Sequence, residues 1–144
     1  MASKNLFFSY YYKNSTSYDS LITKLDDRGY FGYKNSSLDE ESSAQNEEYI
    51  KSKIRPQIDW AGTVVVLIGP GTYTRKYVNY EIEYGAKKDK RIVAIYLYGE
   101  SSSKIPSELR RLYKEGYSEL ALVRWNTESI VSAIRGANSW DEGD

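Results

Sequence analysis

The chain has 144 residues, with 20 Lys and Arg against 20 Asp and Glu, so its formal net charge at pH 7 is zero. This length predicts a single domain over residues 1–144, and the balanced charge argues against a nucleic-acid partner. No apolar run approaches the roughly 20 residues that span a bilayer, and no signal-peptide pattern opens the chain. We therefore expect a cytoplasmic protein without a membrane partner.

Two absent residue types narrow the possible chemistry. The chain contains no Cys and no His, which excludes thiolate nucleophiles, Ser-His and Cys-His relays, and imidazole or thiolate metal ligands. Carboxylates remain as possible ligands, but the acidic run over residues 39–41 lacks convergent partners and is explained by a helix N-terminus, so we expect no metal site. Any catalysis must use carboxylates, hydroxyls, Lys, Arg or backbone dipoles.

The first half of the chain predicts two strands and two helices. Residues 6–10 are aromatic-rich and short, as in a strand, and apolar residues at helical spacing follow over 21–25. A weaker strand is predicted around residues 30–33. The second helix is predicted to start at a capping box with Ser37 as N-cap and to run toward Trp60, with Pro56 kinking or shortening it.

The second half predicts three strands alternating with three helices. Residues 63–68 form a continuous, mainly β-branched run, which is typical of a strand buried on both faces of a parallel sheet. The other elements follow in order: a helix over about 74–90, a strand over 91–97, a short helix opened by Ser107, a strand over 120–123 and a helix capped by Asn126.

This alternation predicts an α/β fold of the flavodoxin-like, doubly wound type. The simplest version is a five-stranded parallel sheet with strand order 2-1-3-4-5. Such sheets bind ligands at the carboxyl ends of the strands where the strand order reverses, here between strands one and three. The loops over residues 10–15 and 69–74 are therefore the expected ligand region.

The helix after residue 71 carries the most informative side chain. Glu81 lies roughly 80° from the centre of the apolar stripe of that helix, with Tyr77 one turn before it and Tyr84 at i+3. The stripe itself consists of Val78, Ile82, Gly85 and Ala86. From this geometry Glu81 is either a carboxylate that touches a bound ligand, with space left by Gly85, or a solvated surface residue.

The turn over residues 69–72 has two interpretations. Its backbone N–H groups could hold a phosphate with Arg75 and Lys76 nearby, or it is an ordinary strand-to-helix turn. It lacks the spacing of a P-loop, which favours the ordinary turn.

Two segments resemble TIR domains. Residues 7–10, Phe-Phe-Ser-Tyr, resemble their first-strand box, and residues 64–69 and 72–82 resemble their third strand and the following helix. In that family an aromatic residue stands four positions before a glutamate, as Tyr77 stands before Glu81 here. The chain is most similar in style to the small TIR-like domain of the B component of the Thoeris antiphage system.

This resemblance implies an enzyme that cleaves the nicotinamide N-glycosidic bond of NAD+. Glu81 matches the catalytic glutamate of the family, with Phe7, Ser9 and Tyr10 lining the cleft and Tyr77 supporting or stacking on the substrate. NAD+ is then a substrate, and no cofactor is expected. In Thoeris-like members the product is an ADP-ribose-derived signal, linear, cyclic or conjugated, that activates a separate effector protein.

Two other functions stay open at this point. Many TIR domains are non-catalytic scaffolds that bind nucleotides or self-associate, and zero net charge leaves a homo-oligomer unopposed by repulsion. A flavodoxin-like flavin binder is disfavoured because residues 13–17 match a flavin phosphate loop only in composition.

Overall fold

The computed structural model describes residues 4–11, 14–27, 33–37, 47–97 and 104–141. Within these ranges, none of the helices combines the length and the apolar character that crossing a membrane requires. The strands are β1 (Lys4–Ser9), β2 (Tyr33–Ser37), β3 (Thr63–Ile68), β4 (Arg91–Tyr96), β5 (Leu120–Val123) and β6 (Ser139–Trp140). The α-helices are α1 (Ser15–Asp27), α2 (Glu47–Trp60), α3 (Lys76–Lys87), α4 (Ser107–Lys114) and α5 (Thr127–Arg135).

The strands form one parallel sheet with the order β2-β1-β3-β4-β5-β6. The doubly wound α/β prediction is confirmed, and the first five strands stand in the predicted order. The sixth strand was not predicted, because its two residues, Ser139 and Trp140, are too few to show a periodic pattern.

The helices cover both faces of the sheet. Phe7 of β1 packs in the core with residues of α2, α3 and α4, such as Ile54, Ile82 and Leu109. Its neighbours Leu6 and Phe8 pack with α1 and α5. This division follows from strand geometry, because successive side chains point to opposite faces.

The segment between β1 and α2 differs from the sequence prediction. The second strand lies at Tyr33–Ser37 and pairs with β1, so Ser37 ends a strand and does not cap a helix. The remainder of the predicted capping box, residues 38–40, lies outside the described residues. The prediction failed because the sequence of this polar strand has no hydrophobic period. Main-chain hydrogen bonds to β1 hold the strand in the sheet instead.

Pro56 does not end α2. The helix continues from Glu47 through Pro56 to Trp60, with Ile54 and Ile58 buried on either side of the proline. A proline removes one intrahelical hydrogen bond, but the packing of the flanking isoleucines against the sheet favours the helix on both sides.

The second half agrees more closely with the sequence. β3 and β5 have the predicted bounds, and the Asn126 side chain caps α5 by accepting a hydrogen bond from the Ser129 N–H at 3.0 Å. α3 is shorter than predicted because residues 72–74 form a separate 3₁₀ turn and Arg75 is extended, with φ −76° and ψ 120°.

Arg91, at the start of β4, is 8% exposed and joins several elements. Its Nε donates to the Ala133 carbonyl at 2.7 Å, and its Nη2 donates to the Ala137 carbonyl at 2.7 Å. Nη1 contacts the Asn138 Oδ1 at 2.8 Å and the Glu119 carboxylate at 3.1 Å. These bonds satisfy the buried guanidinium and fix the end of α5 against the sheet.

Candidate functional site

Glu81 lies on the core side of α3. Its exposed fraction is 3%, and the neighbouring Val78 and Ile82 are fully buried. The interpretation of Glu81 as a solvated surface residue is therefore wrong. Removing a carboxylate from water costs folding free energy that a surface position would not cost, so its place here calls for a specific role.

Ser9 adds a second buried polar group on the same side of the sheet. It ends β1, is 1% exposed, and pairs with Val66 of β3. Strand alternation puts its side chain on the face of Phe7, which α2, α3 and α4 cover. Among the described residues the Ser9 Oγ finds no hydrogen-bond partner. A buried hydroxyl in this state leaves a donor and an acceptor for another group.

The other three predicted site residues divide between the two faces. Phe7 is fully buried, and the half-buried Tyr77 packs against the same core as Phe7. Tyr10 belongs to the opposite face, where its ring stacks on Tyr18 of α1 with 4.8 Å between centroids. The structure thus brings Phe7, Tyr77, Ser9 and Glu81 to one layer and leaves Tyr10 outside it, because odd and even residues of β1 point apart.

The two loops at the point of strand reversal bind each other. Asn14 Nδ2, after β1, donates to Thr72 Oγ1 at 3.3 Å, and the buried Gly69 N–H donates to the same oxygen at 2.9 Å. The Thr72 N–H donates back to the Gly69 carbonyl at 3.1 Å. The Arg75 guanidinium lies 4.4 Å from the Tyr11 ring centroid. Because the amides of Gly69 and Thr72 are engaged within the turn, the structure favours an ordinary strand-to-helix turn over a phosphate loop.

Asn79, which the sequence analysis missed, organises the start of this region. Its Nδ2 donates to the carbonyls of Tyr73 at 3.3 Å and Arg75 at 3.2 Å. Its Oδ1 accepts from the backbone N–H of Glu108 at 3.1 Å and from the Ser107 hydroxyl at 3.4 Å. One amide therefore fixes the loop before α3 and the beginning of α4.

Gly85 brings α3 close to the sheet and does not leave space for a ligand. A Cβ at this position would lie 2.9 Å from Val64 Cγ2 and 3.2 Å from Ile92 Cδ1. The helix backbone thus rests directly on β3 and β4. This close approach places the Glu81 flank of α3 within the buried layer.

Charged and phenolic groups join α2 to the other side of α3. Burial, and then the 2.8 Å hydrogen bond that Tyr84 donates to Asp59 Oδ1, raise the pKa of Tyr84 to about 12. Hydrogen bonds from Lys76 and Lys51, each 2.9 Å, lower the pKa of Glu47 to about 2. The Tyr84–Asp59 and Lys76–Glu47 contacts join the two helices, whereas the Lys51–Glu47 contact lies within α2.

A separate cleft of about 500 Å³ lies at the opposite, amino-terminal edge of the sheet, beside Trp60 and Gly62. Arg91 lines it but is occupied by the structural bonds described above. Because this cleft lies at the amino-terminal edge, it is remote from the carboxyl ends of the strands, where Ser9 ends β1.

A comparison with known families identifies the family of this chain. The family model described as "Thoeris protein ThsB, TIR-like domain" matches residues 7–102, a stretch that contains both Ser9 and Glu81. The chain belongs to the family of TIR-like domains of the Thoeris protein ThsB. The resemblance seen in the sequence is thereby confirmed.

Two individual proteins are similar to this chain. A Bacillus cereus (strain MSX-D12) protein named "Putative cyclic ADP-D-ribose synthase ThsB1" is 27% identical over 137 residues, covering 85% of this chain and 71% of that protein. The solved structure of the Clostridium botulinum CMP N-glycosidase BcmB has a TM-score of 0.57 and 12% identity, covering 92% of this chain and 98% of that one. The second likeness supports the fold.

Proposed function

We propose that this protein is an enzyme that cleaves the nicotinamide N-glycosidic bond of NAD+ and makes an ADP-ribose-derived signal for antiphage defence. The observation that carries the proposal is the 3% exposure of Glu81, a carboxylate held on the core side of the helix that follows β3. The Bacillus cereus relative, whose name is "Putative cyclic ADP-D-ribose synthase ThsB1", supports the substrate class.

The proposed reaction suits a carboxylate without a histidine partner. When the bond between C1′ of the ribose and the pyridinium nitrogen breaks, the electron pair goes to nitrogen and nicotinamide leaves as a neutral molecule. Positive charge develops on the ribose, and the Glu81 carboxylate stabilises it. Water attack at C1′ then gives ADP-ribose and releases a proton to solvent, whereas attack by an adenine nitrogen gives a cyclic product.

The neighbouring residues have different proposed roles. The Ser9 hydroxyl, buried without a partner among the described residues, hydrogen-bonds a ribose hydroxyl. Tyr77, half-buried one turn before Glu81, stacks on or supports the substrate. Phe7 is fully buried and forms the apolar floor. We assign Tyr10 no substrate contact, because it lies on the opposite face.

The proposal also covers the cofactor requirement, the partner protein and the oligomeric state. NAD+ enters as a substrate, so the chemistry needs no resident cofactor. The product acts on a separate effector protein, as the resemblance to Thoeris-type domains implies. A homo-oligomer is compatible with the zero net charge, because little electrostatic repulsion opposes association.

The test is incubation of the purified protein with NAD+ and identification of all products by mass spectrometry. Glu81→Gln keeps the shape of the side chain and should lower the rate by at least about 100-fold, as removal of one transition-state contact does elsewhere. Glu83→Gln is the matched control, since this half-exposed residue lies on the same helix. Its rate should equal that of the unchanged protein.

The outcomes separate the two main functions. Near-normal cleavage by Glu81→Gln would overturn the assignment of the catalytic residue. Absence of turnover both in purified protein and in lysate from infected cells would favour a nucleotide-binding or self-associating scaffold. A rate per molecule that rises with protein concentration would indicate that the active form is an oligomer.

A further inference from the structure

A second cleft lies on the sheet face opposite Glu81, between α1 and the loop before α5. Its volume is about 590 Å³, which is within the range of roughly 300–1,000 Å³ found for small-molecule sites. Its lining residues are Ser17, Ser20, Lys24, Trp125, Asn126 and Thr127.

One face of α1 supplies half of this lining. Ser17, Ser20 and Lys24 are spaced i, i+3 and i+7, so their side chains share one side of the helix. None of the ion pairs among the described residues involves Lys24. Among the described residues, the ammonium group thus has no carboxylate partner that a bound anion would have to displace.

The opposite wall is aromatic and firmly placed. Trp125 is half-buried and packs against the core that α1 and α5 share. The next residue, Asn126, caps α5 through the Ser129 N–H at 3.0 Å, which fixes the end of this loop. The indole thus forms a preorganised apolar surface within the cleft.

The cleft combines a cation and hydroxyls with an aromatic ring, and its lining within the described part of the chain contains no carboxylate. Lys and Ser side chains donate hydrogen bonds to phosphate oxygens, and an indole stacks on a planar base. We propose that this cleft binds a nucleoside diphosphate, with the phosphates between Lys24 and the serines and the base on Trp125. The site is distinct from the Glu81 layer, because the sheet lies between them.

Isothermal titration calorimetry with ADP tests the proposal. Lys24→Ala should weaken binding about tenfold, the effect of losing one charged contact of about 1.4 kcal/mol. The matched control is Lys87→Ala, because Lys87 is exposed at the end of α3 on the other face. Glu81→Gln should leave the dissociation constant unchanged, which separates this cleft from the proposed active site.

Three further measurements complete the test. Adenosine and inorganic phosphate should each bind more weakly than ADP, because each satisfies only one half of the cleft. ADP should also quench tryptophan fluorescence, and Trp125→Phe should remove most of that quenching. The proposal is overturned if ADP shows no saturable binding at millimolar concentration, if Lys24→Ala and Lys87→Ala bind alike, or if adenosine binds as tightly as ADP.

Discussion

The side-chain Oδ1 of Asn79 in α3 accepts a hydrogen bond from the backbone N–H of Glu108 in α4 at 3.1 Å. α4 needs this partner because Pro106, at its N-cap position, supplies no side-chain cap. The Nδ2 of the same amide donates to the Tyr73 and Arg75 carbonyls. The start of α4 and the loop before α3 are therefore held by one side chain.

Asn79→Ala should lower the free energy of unfolding by about 2 kcal/mol, because it removes a helix cap and three further hydrogen bonds. Urea denaturation followed by circular dichroism measures this loss. Asn126→Ala removes a local cap with one bond, to Ser129, and should cost only about 1 kcal/mol. Equal losses in the two variants would show that the bonds from Asn79 to the Tyr73 and Arg75 carbonyls add no stability beyond that of an ordinary cap.

Thr72→Val should destabilise the protein by about 1–3 kcal/mol, because the buried Gly69 N–H loses its acceptor without a change in side-chain shape. Asn14→Ala should cost less, since its bond to Thr72 is longer and only partly buried. Unfolding of the double variant gives the coupling between the two loops. The combined loss should be smaller than the sum, and full additivity would contradict a shared bond.

Gly85→Ala should destabilise the protein by about 1–3 kcal/mol, even though alanine favours a helix by about 1 kcal/mol. The added Cβ would lie 2.9 Å from Val64 Cγ2, so α3 must shift away from the sheet. Gly62→Ala is the control, because a Cβ at that position would meet no heavy atom of the described residues within 4 Å beyond its own chain neighbours. Thermal unfolding of both variants checks this, and a more stable Gly85→Ala would contradict the close approach.

Stability should fall at alkaline pH because of Tyr84. Its pKa is raised from 10.0 to about 12 by burial and by the bond to Asp59, so the native state holds this proton more tightly than the unfolded state. The stabilising contribution is therefore present below pH 10 and is lost as the pH rises through 12. Tyr84→Phe lacks this titration.

Urea unfolding of the unchanged protein and of Tyr84→Phe at pH 8 and pH 11.5 isolates the effect. The advantage of tyrosine over phenylalanine should shrink at the higher pH, while lysine ionisation affects both proteins equally. A constant difference between the two would show that the phenol does not contribute through its proton.

The elements predicted best were those whose hydrophobic pattern follows directly from their burial in the core. β3, over Thr63–Ile68, is buried at every position, and its β-branched run alone marked its bounds. β2 showed no such pattern, because a polar edge strand depends on pairing with β1. The helix start predicted at Ser37 failed for the same reason: local capping chemistry cannot reveal which residues a neighbouring strand will pair with.

The candidate site was predictable only in part. Helical spacing placed Glu81 at the margin of an apolar stripe but left its burial open, since burial depends on how closely Gly85 lets α3 approach the sheet. The resemblance to the first-strand box of TIR domains grouped Tyr10 with Ser9, although successive residues along a strand face opposite ways. The sequence held one indirect sign of the role of Asn79. Pro106, at the start of α4, has no side chain that can cap the helix, so a residue from elsewhere had to supply the cap.

The four partners of Arg91 limit how this family can be recombined. The match to the family model ends at residue 102, yet Ala133, Ala137 and Asn138 hold the guanidinium of β4. Two of these acceptors are backbone carbonyls, so a chimera that joins residues 7–102 to another tail keeps the guanidinium paired only if that tail follows the same path. A tail that follows another path would leave a buried, unpaired cation, a loss of several kcal/mol. Successful grafts should therefore exchange Arg91 and its acceptors as one inherited unit.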